Sequence, residues 1–518
     1  MPEDIQIFAN TKFLIIDDFS NYRNMLKSSI LRRCGAEDID DTSTGENALK
    51  LIKQKDYDVI LCDYNLGEGQ NGQQVLEEAK QRGLINYDTV FIMVTAENAV
   101  KMVMSACEYH PDGYLNKPFT KEMLQNRIHI ILKKKQIFRD IADEVELENY
   151  KKAIKLCDKQ ILHFPKYSID IAKLKAEIFI KMDKSKYAQK IYEKINEVRP
   201  LPWSMIGLAK IHVANHKFET AEEILQQMIG INKNSVEAYD LFAVICEHKK
   251  DFEGAKHILK RAAEISPHAI KRQKNLARMA LESKDLGLAE TAYKKTIQLG
   301  EHSYLKTASD KLGLAKTYSE QDKYEDAIET LQDVRKEYWE SPNHLLHTQI
   351  IESMIYFNNE EEEASKALFE EAIKHFIGRA DEIPFDVSSD MAKLCFLNEE
   401  EEMGNAITEA LSTIGDNVDA WDQAKKYKYL QLNREAISLY LNNNLDEAIP
   451  MFEKVATELP DNISINMNAA QVLIYYVTNF EYDEEKMTRA RGYLDVAKNI
   501  DQHNEKYLKL EEMYRAGV

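Results

Sequence analysis

From about residue 145 onward the chain repeats itself at roughly 34 residues, each copy placing small and large apolar side chains at helical spacing. The clearest unit runs from Val236 to Ala269. It has Tyr239, Phe242 and Ala243 in a first helix, Phe252, Ala255, Leu259 and Ala262 in a second, and Pro267 near its close. Residues 270–303 repeat the pattern with Leu276, Ala277, Ala280, Leu286, Ala289, Tyr293 and Leu299. One such helix pair cannot bury its apolar face alone, so the sequence must build a stack in which each pair covers the next. Further copies stand at 149–165, 186–200, 217–225, 323–331 and 444–460, with weaker ones near 341–375 and 386–415 and a lengthened turn within 463–501. About nine or ten units are expected, closed by a capping helix over 505–517.

The first 135 residues follow another rule. Short apolar runs at 13–16, 58–62, 90–94 and 113–117 alternate with helical patterns, which predicts a parallel sheet covered by helices on both faces. In such sheets chemistry gathers beyond the carboxyl ends of the strands. The residues that close the four runs are Asp17 and Asp18, then Asp63, then Thr95 followed by Ala96, then Lys117 followed by Pro118 and Phe119. Taken singly, each has an ordinary structural role: a turn acid, a helix cap, a surface lysine. Together they bring three acids, a hydroxyl and an ammonium to one edge. Adjacent carboxylates about 4 Å apart repel by roughly 4 kcal/mol at an effective dielectric of 20, so the pair at 17 and 18 calls for a counter-ion, and a divalent metal suits it.

This constellation, over residues 10–133, resembles the receiver domain of two-component response regulators. The resemblance implies a five-stranded, doubly wound α/β domain in which Asp63 is the phosphoacceptor. It further implies that Mg2+ is held by Asp17, Asp18, Asp63 and the main-chain carbonyl of Asn65. Thr95 and Lys117 would contact the phosphoryl oxygens, the ring of Tyr114 would follow the switch, and Pro118 would be cis. The chemistry is coherent in its own right: a carboxylate attacks phosphorus only where charge building on the equatorial oxygens is neutralised, and a metal and a lysine do that together. One departure stands out. In "DYNLGEGQNG" Gly67 occupies the usual proline position, and Gly72 lies nine residues after Asp63 instead of eight, giving a longer and more flexible loop.

The repeats resemble tetratricopeptide repeats, all-α superhelices whose extended concave surface binds a peptide or a helix of another protein. Glu237, Asp240, Val244, Glu247 and His248 lie at first-helix positions expected to face that surface, making it acidic at this unit. The domains expected are a receiver over 1–135, a stiff helical linker over 136–148 within a breaker-free stretch 136–154, and repeats with their cap over 149–518.

Charge narrows the partners. Residues 1–135 carry 17 basic and 20 acidic side chains, leaving 51 and 67 beyond, so the net charge of −19 sits mostly on the repeats and argues against nucleic acid. No apolar run approaches the roughly 18 residues of a membrane span, and no basic region precedes an apolar one at the start, so a cytoplasmic protein is expected. The six cysteines, at 34, 62, 107, 157, 246 and 395, form no CxxC pair and suit reduced thiols. The acidic runs Glu360–Glu363 and Glu399–Glu402 suit the positive ends of second helices, the lysines of 132–136 suit a helix carboxyl end, and His212 with His216 lacks a third metal ligand.

The expectation is a two-component response regulator, phosphorylated on Asp63 with Mg2+ as cofactor, whose output passes through protein contacts of the repeats. It would be a regulatory phosphoacceptor, capable of self-phosphorylation from a donor and of autodephosphorylation, and not otherwise an enzyme. Its partners would be a sensor histidine kinase or phosphotransfer protein and an unknown protein in the groove, with homodimerisation open. The alternative is a phosphorelay intermediate that passes the phosphoryl group from Asp63 to a histidine phosphotransfer protein.

Overall fold

The computed structural model describes residues 8–95, 111–377, 382–414, 429, 432–433, 436–480, 483–502 and 504–517; Ala96 and Cys107 lie outside them. The chain divides into two compact units, Met1–Gln321 and Asp322–Val518.

The first unit opens with five parallel strands: β1 (Phe13–Ile16), β2 (Ile39–Thr42), β3 (Val59–Asp63), β4 (Val90–Thr95) and β5 (Gly113–Asn116), in the order β2-β1-β3-β4-β5. β1, β3 and β4 are buried along their whole lengths because helices cover both faces, which is why they read as unbroken apolar runs. Phe13, Ile15, Leu61 and Ile92 point to one core with Leu31 and Leu124, while Leu14, Ile60 and Phe91 point to the other with Leu49, Val75 and Leu76. Each such fully buried side chain contributes about 1.5–3 kcal/mol. β2 has no counterpart among the four expected runs. Its sequence is Ile-Asp-Asp-Thr at the sheet edge, with the two acids half-buried; Asp41 pairs with Arg23 and Lys27, and Asp40 with Lys55.

Between the strands run the helices α1 (Ser20–Met25), α2 (Gly45–Gln54) and α3 (Gly72–Gln81). The next described helix, α4 (Lys121–Glu146), leaves the sheet and continues into the repeats. Its Phe138, Ile141 and Ala142 are buried, and Phe138 and Ile141 share a cluster with Ala153 and Cys157. Residues 136–146 thus act as the first helix of a repeat as well as a joint. Helix 136–154 is not continuous: α4 ends at Glu146 and Glu148 turns left-handed at φ 57°. The lysines of 132–136 do not mark a helix end either. Lys135 is buried and donates to the carbonyls of Tyr87 at 2.8 Å and Thr89 at 2.6 Å, while Lys134 pairs with Asp170.

After α4 the first unit holds ten α-helices, among them α5 (Tyr150–His163), α6 (Ser168–Lys181), α7 (Ser185–Val198), α8 (Pro202–Ala214), α9 (Phe218–Ile231), α10 (Val236–His248), α11 (Phe252–Ile265), α12 (Ile270–Glu282), α13 (Leu286–Gly300) and α14 (Ala308–Glu320). Small residues sit where helices cross. A Cβ on Gly207 would meet the Tyr192 ring at 2.5 Å, and one on Gly313 the Tyr293 ring at 2.3 Å. Within each pair the turn carries one left-handed residue that is not glycine: Glu148, Asp183, His216, Lys250 and Lys284 in this unit.

The second unit continues the pattern, with left-handed turns at Asp322, Glu360, Glu399 and Asn443. Its pairs include Pro342–Asn358 with Glu362–Ile377 and Phe385–Leu397 with Glu401–Ile414, where the sequence signal is weak. Glu362, Glu363, Glu401 and Glu402 occupy first turns, where negative charge suits the helix end. The lengthened unit is Ile463–Asn479 with Glu484–Ile500, and the last helix spans Glu505–Gly517. Among the described residues no helix is long and apolar enough to cross a membrane.

Candidate functional site

Register brings the site together. β1 pairs with β3 so that Ile16 faces Cys62, which sets the next residues, Asp17 and Asp63, side by side beyond the sheet. β4 pairs with β5 through Thr95 and Asn116, so Lys117 emerges on the same edge. The Lys117 amide donates to the Thr95 carbonyl at 2.8 Å, and the Lys117-Pro118 peptide is cis.

Lys117 Nζ lies 2.6 Å from Oδ2 of Asp17 and 2.6 Å from Oδ2 of Asp63, and 4.1 Å from the centre of the Tyr22 ring. Ligand oxygens of Asp17, Asp18 and Asp63 lie within 4.8 Å of one another, the one group of three metal-type side chains among the described residues. The other Asp17 oxygen accepts from the Phe19 amide at 2.9 Å, and Arg23 donates to the main-chain carbonyls of Asp17 and Asp18, fixing the turn that carries both acids. Asp18 is the exception, since its Oδ1 is buried with no hydrogen-bond partner.

Burial pushes the Asp63 carboxyl above the ordinary aspartate range. The Lys117 ammonium pulls it down, nearby Asp17 adds to the rise, and the Asn65 amide lowers it. Lys117 moves up: burial works against its charge, yet its hydrogen bonds to Asp17 and Asp63 outweigh that cost. Burial, followed by the charges of Asp17 and Asp63, also pushes the Tyr22 hydroxyl up, so the ring next to the ammonium stays neutral. Thr95 is buried at the same edge, and Tyr114 is half-buried against the core face that contains Met93.

The loop after Asp63 is anchored on several sides. Leu66 is buried, Gly67 and Gly69 take φ values of 74° and 93°, and the Gly72 amide closes the loop onto the Tyr64 carbonyl at 2.8 Å. The two left-handed glycines absorb the extra residue. Gly72 is required for another reason: a Cβ there would fall 2.0 Å from the Asp63 carbonyl oxygen. Sequence reasoning missed Tyr22, Arg23 and Glu46, whose carboxylate accepts from the Gln70 amide; each is a helical residue whose spacing alone gives no hint of the site.

In the repeats, the groove candidates already have partners. Glu237 pairs with Lys210 at 2.9 Å, Asp240 takes a bidentate bond from the buried Arg272, and Glu247 pairs with Arg278. The His248 ring stacks on Phe218 at 5.4 Å, and Val244 is part-exposed. His212 and His216 gather no third ligand among the described residues.

Known proteins divide the chain in the same way. The family model "Response regulator receiver domain" matches residues 13–129, and two "Tetratricopeptide repeat" models match 236–268 and 311–341. Chemotaxis protein CheY-3 of Vibrio cholerae is 30% identical over 125 residues, spanning 24% of this chain and 94% of its own length. Chemotaxis protein CheY of Pseudomonas aeruginosa is 30% identical over 123 residues, 24% of this chain and 97% of its own length. Among solved structures, the Francisella response regulator 1452 receiver domain is 26% identical, covers 24% of this chain and 98% of its own, and has a TM-score of 0.22. A tetratricopeptide repeat protein from Parabacteroides merdae is 13% identical, covering 50% of this chain and 97% of its own with a TM-score of 0.34.

Proposed function

Because the chain belongs to the response-regulator receiver family through residues 13–129 and carries tetratricopeptide repeats behind that domain, we propose that it is a phosphorylation-controlled interaction protein. Asp63 is the phosphoacceptor. One carboxylate oxygen of Asp63 attacks the phosphorus of a histidine kinase or phosphotransfer protein, the bond from phosphorus to the donor nitrogen breaks, and the donor leaves with that electron pair. The product is an acyl phosphate on Asp63. Lys117 and the Thr95 hydroxyl meet the phosphoryl oxygens, and Tyr114 follows the change.

The carboxylate cluster fits a hard divalent cation. Three acids converge within 4.8 Å and one buried Asp18 oxygen has no hydrogen-bond partner, a state a cation would compensate. Asp17, Asp18, Asp63 and the Asn65 carbonyl would hold Mg2+, which when bound would neutralise charge on the transferring group. The observation that carries the reading is the double contact of Lys117 with Asp17 and Asp63, since it fixes an ammonium beside the one acid that ends β3. Output runs through the repeats, whose groove at Glu237, Asp240, Val244, Glu247 and His248 is the candidate partner surface. The protein acts in the cytoplasm on this reading.

The test is a chase. The chain is labelled with phosphate from a small donor, mapped to Asp63, and offered a histidine phosphotransfer protein. Retention of label on Asp63 supports a terminal regulator; rapid passage to the histidine supports a phosphorelay intermediate.

A further inference from the structure

Helix α3 begins directly after the phosphoacceptor loop, and its outer face is not in water. Val75, Leu76 and Ala79 fill the core beneath the sheet, yet Gln73, Gln74, Glu77 and Glu78 on the other side are also buried, at 4%, 7%, 4% and 9% exposure. Their cover comes from more than two hundred residues away, at the carboxyl end of α13 and the turn after it. Gln74 Nε2 donates to the Leu299 carbonyl at 3.0 Å, Gln70 Nε2 to the His302 carbonyl at 3.1 Å, and Ser303 Oγ to Glu77 Oε2 at 3.0 Å. Arg82 lies over the Tyr304 ring at 5.7 Å. Leu299 is in the last turn of its helix, where carbonyls lack intrahelical donors, so the first domain caps that helix from outside.

We propose that the turn 299–304 is an internal docking site that reads the state of Asp63 through the loop 64–71 and helix α3. The inference rests on the assignment of Asp63 as phosphoacceptor. The mechanical link is short. Gly72, the first residue of α3, packs against the Asp63 main chain with no room for a Cβ, and its amide holds the Tyr64 carbonyl. Gln74 then joins both sides: its Oε1 accepts from the Asn71 amide at 2.9 Å in a capping box, while its Nε2 reaches Leu299. Gln70, at the end of the same loop, bonds Glu78 at 2.6 Å and the carbonyl of His302.

The loop also borders the acids, since the Gly67 Cβ position lies 3.6 Å from Asp18 Oδ2. A phosphoryl group on Asp63 competes with the carboxylates for Lys117 and replaces the carboxylate's charge of about −1 with about −1.5 to −2 beside the loop. Any shift of residues 64–71 moves Gln70 and the capping box together, and with them two of the three hydrogen bonds to the repeats. Modification of Asp63 therefore loosens the 299–304 contact, and loosening the contact changes the modification equilibrium by the same factor.

The experiment is hydrogen exchange on the full chain with and without beryllofluoride and Mg2+, with fluorine resonance reporting occupancy at Asp63. The expected result is exchange of the amides in 299–306 about fivefold faster or more when Asp63 is occupied, the low end of ordinary coupling. Gln74→Glu keeps the capping-box acceptor and removes the donor to Leu299, so it should speed exchange in 299–306 without beryllofluoride while amides of β1 and β3 stay protected. Occupied Asp63 with unchanged exchange at 299–306 overturns the docking proposal and leaves the phosphoacceptor assignment standing. An unoccupied Asp63 overturns both.

Discussion

Lys117 Nζ bridges Asp17 and Asp63 at 2.6 Å to each, so one ammonium serves a metal-type acid and the proposed phosphoacceptor at once. Lys117→Ala should therefore separate two functions. Mg2+ titration should show affinity equal to or tighter than wild type, because a competing cation is gone, while the exchange response to beryllofluoride shrinks. Weaker Mg2+ binding in that variant would mean that the lysine organises the acids instead of competing for them.

Asp18 behaves in the opposite way. Its partnerless Oδ1 adds like charge to Asp17 and Asp63, so Asp18→Ala should stabilise the metal-free chain by on the order of 1 kcal/mol after solvent screening. The same change should abolish stabilisation by Mg2+. Thermal melts of both proteins with and without millimolar Mg2+ check the pair of effects; a variant that still gains stability from Mg2+ would remove Asp18 from the ligand set.

Asp63 sets a pH dependence. Burial raises its folded carboxyl pKa above the unfolded value of 3.8, so the ionised folded form is penalised. The penalty is fully present above the folded pKa, shrinks as pH falls toward 3.8, and vanishes below it. Asp63→Asn should consequently be at least as stable as wild type at pH 7, with the gap closing under acid, as denaturation midpoints across pH would show. An Asp63→Asn variant less stable than wild type at pH 7, with that deficit closing under acid, would mean that Lys117 outweighs burial.

Gly72→Ala places a Cβ 2.0 Å from the Asp63 carbonyl oxygen, a clash with backbone that no rotamer relieves. The first domain should lose roughly 3 kcal/mol, and labelling at Asp63 should fall with it. Urea unfolding followed by hydrogen exchange of β3 amides reads the loss directly, and an unchanged midpoint would contradict the packing.

The site was legible from sequence because a parallel sheet sends its strand ends to one edge, and the runs at 13–16 and 90–94 are apolar throughout. β2 was not, since Ile39 and Thr42 alone are buried and its two acids hide an edge strand. The repeats showed through their period, yet the turn at Glu148 stayed hidden because these turns use Glu, Asp, His and Lys at left-handed φ where glycine would have signalled a break. The cover over Gln74 and Glu77 was invisible for a simpler reason. A polar helix face reads as solvent-facing, and nothing local announces a partner 225 residues on.

The measurement that most directly tests the central assignment is mass analysis of the full chain after incubation with acetyl phosphate, in Mg2+ and in chelator, for wild type and Asp63→Asn. The account predicts one added phosphoryl group in wild type with Mg2+, located on Asp63, and none with chelator or in the variant. Equal phosphorylation of Asp63→Asn, or of wild type in chelator, would contradict it.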